Sequence, residues 1–127
     1  MANPSITNAT AVGKEVIRRA YYDNVPETEV TILAGVANHI MTIISIIVCE
    51  RSGQADSTFS LNIDYDNGGT DLRFLTNSPI GSDGTFIWND RFALTETDRL
   101  WMSGTSTTGT FAGDVWISYI DQQFAAP

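Results

Sequence analysis

One stretch of the sequence has the spacing of a calcium-binding loop. Its residues, Asp64-Tyr65-Asp66-Asn67-Gly68-Gly69, place carboxylates two positions apart and a glycine at the sixth position. An EF-hand loop also requires an oxygen ligand at the fifth position and a bidentate Glu at the twelfth. The sequence has Gly68 and Leu75 there. We therefore predict a hairpin turn without a metal, because Asn-Gly provides the positive φ values of a tight turn.

The other residues that could do chemistry do not form a catalytic set. His39 is the only histidine and Cys49 the only cysteine, so one chain cannot build a metal site from a pair of histidines or an internal disulfide. The 15 Asp and Glu residues could supply the two carboxylates of a glycosidase, but they fall mostly in predicted turns and on polar strand faces. No glycine-rich phosphate loop or dinucleotide fingerprint is present. We predict a protein that is not an enzyme and needs no cofactor.

The aromatic side chains are the remaining candidates for a binding surface. Trp116 is the strongest, because it lies on the opposite face of its predicted strand from three apolar neighbours. Trp88, Tyr21 and Tyr22 are further candidates. Such rings could stack on a sugar or pack on another protein. The alternative is that they fill the core or an interface between copies of this chain.

The element that must position these residues is the longest apolar run, residues 39–50. Seven of its twelve residues are β-branched, which favours a strand. Strict alternation would divide its apolar side chains into two sets, Ile40, Ile44, Ile46 and Val48 on one face and Met41, Ile43, Ile47 and Cys49 on the other. We therefore expect both faces to be covered. The run is too short for a membrane span, which needs about 20 apolar residues.

The clearest period of two lies in residues 58–65. Phe59, Leu61, Ile63 and Tyr65 alternate with Thr58, Ser60, Asn62 and Asp64, so we expect one buried face and one solvated face. Further strands are predicted at 15–22, 29–33, 72–74, 85–88, 99–102 and 114–121, separated by turn residues such as those at 23–26, 77–84 and 103–109. Residues 92–94 form a short segment with Phe92 and Leu94 on one side. Turns every eight to twelve residues or so predict an all-β fold, an antiparallel β-sandwich or jelly roll of about eight strands.

Composition sets the remaining limits. The chain has 127 residues and a net charge of -8, which predicts one domain and argues against nucleic acid as a partner. The N-terminus has neither a basic nor an apolar leader segment, so we expect synthesis in a cytoplasm. We divide the chain into an extended N-terminal arm at 1–12, a β-sandwich domain at 13–122 and a tail at 123–127. Ile6 and Val12 are the arm's candidate contact residues.

The order of the motifs resembles that of small structural proteins of tailed-bacteriophage virions. The motifs are Glu29 to Gly35, the strand end Ile46 to Gly53, the loop Ser78-Pro79-Ile80, the segment Phe92 to Trp101 and the final strand Val115 to Ile120. The resemblance covers roughly residues 28–121. Two positions depart from the family pattern: Glu50-Arg51 stands where Asn-Thr is usual, and Thr97 stands where Gly precedes the Asp.

The resemblance implies a non-enzymatic β-sandwich that is assembled on a phage particle. Our first hypothesis is a capsid decoration (cement) protein on the outer surface of the head, which forms a homotrimer and binds the major capsid protein. The second is a neck, tail or fibre-associated structural protein. The third is a carbohydrate-binding module that uses Trp116 or Trp88 as a stacking platform. None of the three involves a membrane or a nucleic acid as partner.

Overall fold

The computed structural model describes residues 15–65 and 71–124. Nine strands are formed: β1 (Glu15–Val25), β2 (Val30–Ala34), β3 (His39–Glu50), β4 (Thr58–Asp64), β5 (Asp71–Pro79), β6 (Thr85–Trp88), β7 (Phe92–Leu94), β8 (Arg99–Thr105) and β9 (Gly113–Gln123). The predicted all-β class is confirmed. None of the described residues forms a helix that could cross a membrane. The predicted arm at 1–12 and most of the calcium-like loop lie outside the described residues.

The strands form two antiparallel sheets. Sheet 1 has the order β1-β9-β3-β6, with β7 also paired to β3, and sheet 2 has the order β2-β8-β4-β5. The chain moves between the two sheets along most of its length, which is the topology of a jelly roll. Strand β6 pairs with one end of β3 and β7 with the other. These two short strands together occupy one strand position, so the prediction of about eight strands agrees with the structure.

The core lies between the inner faces of the two sheets. Sheet 1 contributes Val115, Ile117 and Tyr119, which are buried as the alternation predicts. Residue 104 of sheet 2 must be glycine, because a Cβ there would lie 2.1 Å from the ring of Phe111. This phenylalanine lies in the loop between β8 and β9 and is 1% exposed. The loop therefore closes the core at this end of the sandwich.

The predicted division of β3 into two faces is wrong beyond Ile43. Tyr119 pairs with Ile43 and Ser118 with Ser45, so a β-bulge adds one residue to β3 and reverses the direction of the residues that follow. The buried set is consequently Met41, Ile43, Ile46 and Val48. Ile40 and Ile47 lie on the outer face and are 36% and 40% exposed. Within one chain, the outer face of β3 is not covered as we expected.

Three predicted turns are partly strand. β1 continues to Val25 instead of turning at residue 23. A bulge between Tyr22 and Val25, with Asn24 at a φ of 61°, accommodates an extra residue of β1 without ending its pairing with β9. β5 continues to Pro79. A proline has no N–H to donate, but β5 lies at the edge of sheet 2, where one side of the strand has no neighbouring strand to bond. β8 continues to Thr105. Residues typical of turns therefore occur in this protein at bulges and in edge strands as well as in loops.

His39 and Arg18 are held by one buried carboxylate, that of Asp121. The His39 Nδ1 lies 2.6 Å from Asp121 Oδ1, and the Arg18 Nε donates to Asp121 Oδ2 at 2.9 Å. Arg18 shares the inward side of β1 with Val16, and this ion pair neutralises its charge there. His39, at the start of β3, is thus a hydrogen-bonded structural residue.

Candidate assembly face

Four exposed apolar side chains form a continuous row across the outer face of sheet 1. Tyr21 on β1 is paired with Trp116 on β9, Trp116 with Ile47 on β3, and Ile47 with Ile87 on β6. They are 60%, 40%, 40% and 57% exposed in the same order. We call these four residues the apolar row. It spans the four strands of the sheet order β1-β9-β3-β6.

Each member of the apolar row faces outward for a local reason. Alternation places Tyr21 on the opposite side of β1 from its half-buried neighbours, and Trp116 on the opposite side of β9 from its buried neighbours. The bulge in β3 turns Ile47 outward. Ile87 lies between the half-buried residues Phe86 and Trp88 of β6. The exposure of these four side chains therefore depends on the register of the strands as well as on the alternation in the sequence.

The two aromatic members of the row are stacked. Their ring centroids are 5.8 Å apart with an interplanar angle of 18°. The Arg19 guanidinium carbon lies 5.1 Å from the centroid of Trp116 and 5.9 Å from that of Tyr21, which is within cation–π range. A shallow groove of about 270 Å³ runs beside the rings and is also lined by Ile47 and Cys49. The row thus has a fixed shape and an indentation that a partner's side chain could fill.

Charged residues border one end of this groove. The Arg51 guanidinium donates to Asp23 at 2.6 Å and to Asp114 at 3.0 Å. Burial opposes ionisation of Asp114, but hydrogen bonds from the Asn24 N–H and from Arg51 outweigh it and lower the pKa of this carboxyl. The same two acidic residues raise the pKa of Arg51. Both Arg51 and Asp114 are therefore ionised at neutral pH.

The Glu50 carboxylate organises the loops behind this border. It is 1% exposed and accepts hydrogen bonds from the N–H groups of Ser52 at 2.8 Å, Gly53 at 3.0 Å and Asp83 at 2.9 Å. The Ser52 and Ser57 hydroxyls also donate to it. Burial alone would raise the pKa of Glu50, but these hydrogen bonds lower it to about 2. All its hydrogen bonds are to main chain and hydroxyl groups that hold loops, so Glu50 has a structural role.

The structure brings together two of the six residues predicted as interaction candidates, Tyr21 and Trp116. Tyr22 and Trp88 are instead half-buried and pack against the core. The ring of Trp88 stacks on Phe74 at 5.8 Å, and its Nε1 donates to the Asp90 carbonyl at 2.8 Å. The other two, Ile6 and Val12, lie outside the described residues.

Sequence reasoning missed Ile47 and Ile87 as members of the surface. The bulge that exposes Ile47 leaves no mark in an unbroken apolar run. Ile87 did carry a signal, because it alternates with two aromatic residues that point the other way. Among residues 15–65 and 71–124, no group of three or more His, Cys, Asp or Glu side chains could hold a metal ion. What the face offers is a contact surface.

The fold has counterparts among viral capsid structures. A chain of the acidic stable capsid structure of Helicobacter pylori bacteriophage KHP30 is 11% identical, with a TM-score of 0.50 over 90% of this chain and 95% of that one. The D431N mutant VP2 protein of infectious bursal disease virus, in derived T=1 particles, is 9% identical, with a TM-score of 0.51 over 91% of this chain and 37% of that one. A pentameric capsid protein isolated from metagenomic phage sequences is 15% identical, with a TM-score of 0.43 over 82% of this chain.

The likeness to these structures is one of fold. This chain spans 60% of the pentameric capsid protein and about a third of the VP2 protein, but nearly all of the KHP30 chain. No family model matches the sequence, and no curated protein matches it. What this chain shares with the KHP30 and VP2 chains is the fold.

Proposed function

We propose that this chain is a structural protein of a bacteriophage virion, and more specifically a capsid decoration (cement) protein on the outer surface of the head. The observation that carries the proposal is the apolar row on the outer face of sheet 1. Four large side chains remain exposed there in one chain, and contiguous exposed apolar surface is typical of an interaction site.

Covering the apolar row would stabilise a complex appreciably. Full burial of an apolar side chain contributes roughly 1.5–3 kcal/mol relative to exposure, so completing the burial of four half-exposed ones contributes on the order of 4 kcal/mol. The stacked rings of Tyr21 and Trp116 are already ordered by Arg19, which reduces the entropy lost on binding. The ionised border formed by Arg51 and its two acidic partners adds orientation.

The fold likeness supports a structural protein of a capsid, and the charge supports a position on its outside. The KHP30 chain is matched over 95% of its length, so one jelly roll of this size makes up nearly a whole chain in that phage capsid structure. The net charge of -8 would repel packaged DNA and suits a surface that faces away from it.

In this proposal the chain forms a homotrimer at three-fold or quasi-three-fold positions and applies the apolar row to the major capsid protein. The predicted arm at 1–12, with Ile6 and Val12, would add a second contact to the capsid or to a neighbouring copy. Each bound trimer would link capsomers across a seam and resist the pressure of packaged DNA.

The test is binding of the purified protein to expanded, undecorated heads of the phage that encodes it. Ile47→Lys and Ile87→Lys place a charge in the apolar row, and we expect each to weaken head binding about tenfold or more. The matched control is Thr105→Lys, an exposed residue at the end of β8 in sheet 2, which should bind as the unmodified chain does. Copy number and position are measured by quantitative gel and cryo-electron microscopy.

Copies distributed over the whole head, with mass consistent with trimers, would support a decoration protein. Binding confined to one vertex would contradict it and favour a neck, tail or fibre-associated protein. Head binding that survives both lysine substitutions would show that the apolar row is not the contact surface.

A further inference from the structure

The outer face of sheet 2 contains a groove of a different character. Its volume is about 250 Å³, and its lining residues include Ser60, Asn62, Asp71, Arg73, Trp101 and Ser103. They come from three neighbouring strands, β4, β5 and β8. The groove is polar, apart from one aromatic ring.

The register of sheet 2 places these residues side by side. Asn62 on β4 pairs with Trp101 on β8 and with Arg73 on β5. Ser60 pairs with Ser103. Because the two pairs lie two residues apart on β4, they point to the same face of the sheet.

Asn62 is the residue that points to a ligand. It is 4% exposed, and its Oδ1 has no hydrogen-bond partner among the described residues. A buried carbonyl oxygen without a partner costs free energy, and nearly all such groups in native proteins are paired. This side chain lines the groove and is covered by its neighbours Trp101 and Arg73. A ligand that displaces the exposed Arg73 side chain could therefore bring a hydroxyl or N–H to the Asn62 oxygen and supply the missing donor.

Trp101 provides an oriented aromatic wall. Its Nε1 donates to Asp71 Oδ1 at 3.2 Å, which fixes the ring beside Asn62. Arg73 lies on the other side of Asn62, on β5, and is exposed. It has no ion-pair partner within the described part of the chain, so its N–H groups can donate to a ligand. The groove therefore combines one ring, free donors, free acceptors and the hydroxyls of Ser60 and Ser103.

We propose that this groove binds a neutral saccharide unit. A sugar ring presents C–H groups that pack on an aromatic ring and hydroxyls that both donate and accept hydrogen bonds. Asp71 disfavours a phosphate or other anion, and Arg73 disfavours a cation. Pockets for drug-sized ligands are about 300–1,000 Å³, so a groove of about 250 Å³ suits one sugar unit of a longer glycan.

The site is independent of the proposed function. It lies on sheet 2, whereas the apolar row lies on sheet 1, so a chain seated on a capsid through the row would keep the groove free. It also differs from the carbohydrate site expected from sequence, which used Trp116 or Trp88.

The test uses the full chain labelled with ¹⁵N and a panel of glucose, galactose, N-acetylglucosamine and rhamnose, with inorganic phosphate as a separate probe. The three tryptophans give three indole N–H signals, so each face of the protein has its own reporter. We expect at least one sugar to shift the Trp101 signal saturably while the Trp88 and Trp116 signals stay in place. Arg73→Gln should weaken this binding about tenfold, and Trp101→Leu should abolish it.

Arg19→Gln is the matched control, since it removes an exposed arginine from the other face and should leave sugar binding unchanged. If Trp101→Leu does not fold, Arg73→Gln carries the test, because Arg73 is exposed and makes no ion pair with a described residue. Absence of any sugar-dependent shift would overturn the proposal, as would a shift by phosphate alone. Equal affinity in Arg73→Gln and the unmodified chain would overturn it as well.

Discussion

The outer faces of the two sheets differ in chemistry although the sheets share one core. Sheet 1 presents the apolar row, which ends at an ionised border. Sheet 2 presents a polar groove with a single ring, that of Trp101. The inner faces of both sheets are mainly apolar, apart from the cluster of Arg18, His39 and Asp121 in sheet 1. Inward positions of a jelly roll are thus fixed by packing, whereas outward positions are free to specify contacts.

The two outward tryptophans illustrate this difference. Trp116 stacks on Tyr21 beneath Arg19, so its polar atom contributes little to its placement. Trp101 is held by a hydrogen bond from its indole N–H to Asp71. A ring held in place by stacking is suited to burial against another protein. A ring held through its polar atom is suited to a site where the hydroxyls of a ligand replace water.

The largest expected effect separates inner from outer positions on one strand. Ile46 is fully buried and Ile47 is 40% exposed, so the two neighbours differ in environment and not in chemistry. Ile46→Ala should lower the free energy of unfolding by about 4 kcal/mol, because it removes buried methyl groups and leaves a cavity. Ile47→Ala should lower it by about 0.5 kcal/mol. Urea denaturation of both variants measures the difference.

Ile47 should matter more for head binding than for stability. Ile47→Ala should weaken head binding while leaving the fold intact, which would show that the apolar row contributes little to the stability of the single chain. A loss of stability in Ile47→Ala as large as that in Ile46→Ala would contradict this separation.

The sequence predicted the fold better than it predicted either outer face. The bounds of β3 and β6 follow from local pattern alone. The bulge in β3 could not be foreseen from the sequence. The residues around it, Ile43 and Ser45, belong to an apolar run in which either set of alternating side chains could face the core. The exposure of Ile47, and with it the apolar row, depends on that bulge.

The groove was hidden for a related reason. Asn62 was expected to be solvated, because it alternates with Leu61 and Ile63. It does face outward, but it is 4% exposed since Trp101 and Arg73 lie on either side of it. Which long side chains flank a small one depends on strand pairing between distant segments, and one sequence does not contain that information.

The second expected effect disturbs both faces at once. Glu50 ends β3 in sheet 1, and its carboxylate accepts a hydrogen bond from Ser57, which precedes β4 in sheet 2. Glu50→Gln replaces a buried acceptor by an amide whose NH₂ group faces N–H donors. We expect the free energy of unfolding to fall by about 3 kcal/mol. When this variant is unfolded with urea, the indole N–H signals of Trp101 and Trp116 should disappear in one transition. Two separate transitions would show that the two sheets do not unfold as one unit.

The same carboxylate predicts a dependence of stability on acid. The pKa of Glu50 is lowered from 4.5 to about 2 in the folded chain, so the unfolded chain takes up the proton first as the pH falls. This contribution to stability is complete above pH 4.5 and is lost as the pH falls to about 2. Glu50→Gln should show a shallower loss over that range. A slope remains in Glu50→Gln, because hydrogen bonds from the Thr107, Ser106 and Thr108 hydroxyls lower the pKa of Asp56. The pKa of Asp114 is also lowered.

The smallest expected effect compares one arginine on each outer face. Arg19 lies over the Trp116 ring at 5.1 Å, and such a contact at an exposed site contributes roughly 0.5–1 kcal/mol. Arg19→Gln should therefore lower the free energy of unfolding by about 0.5 kcal/mol. Arg73→Gln should leave it unchanged, because Arg73 contacts no ring or carboxylate within the described part of the chain.

These two variants should reverse their order when binding is measured instead of stability. Arg19→Gln should weaken head binding, since Arg19 orders the rings of the apolar row, and should leave the Trp101 signal responsive to sugar. Arg73→Gln should bind heads normally and lose the response to sugar. A variant that impaired both activities would show that the two faces are coupled through the core, and the separation of an assembly face from a ligand face would then fail.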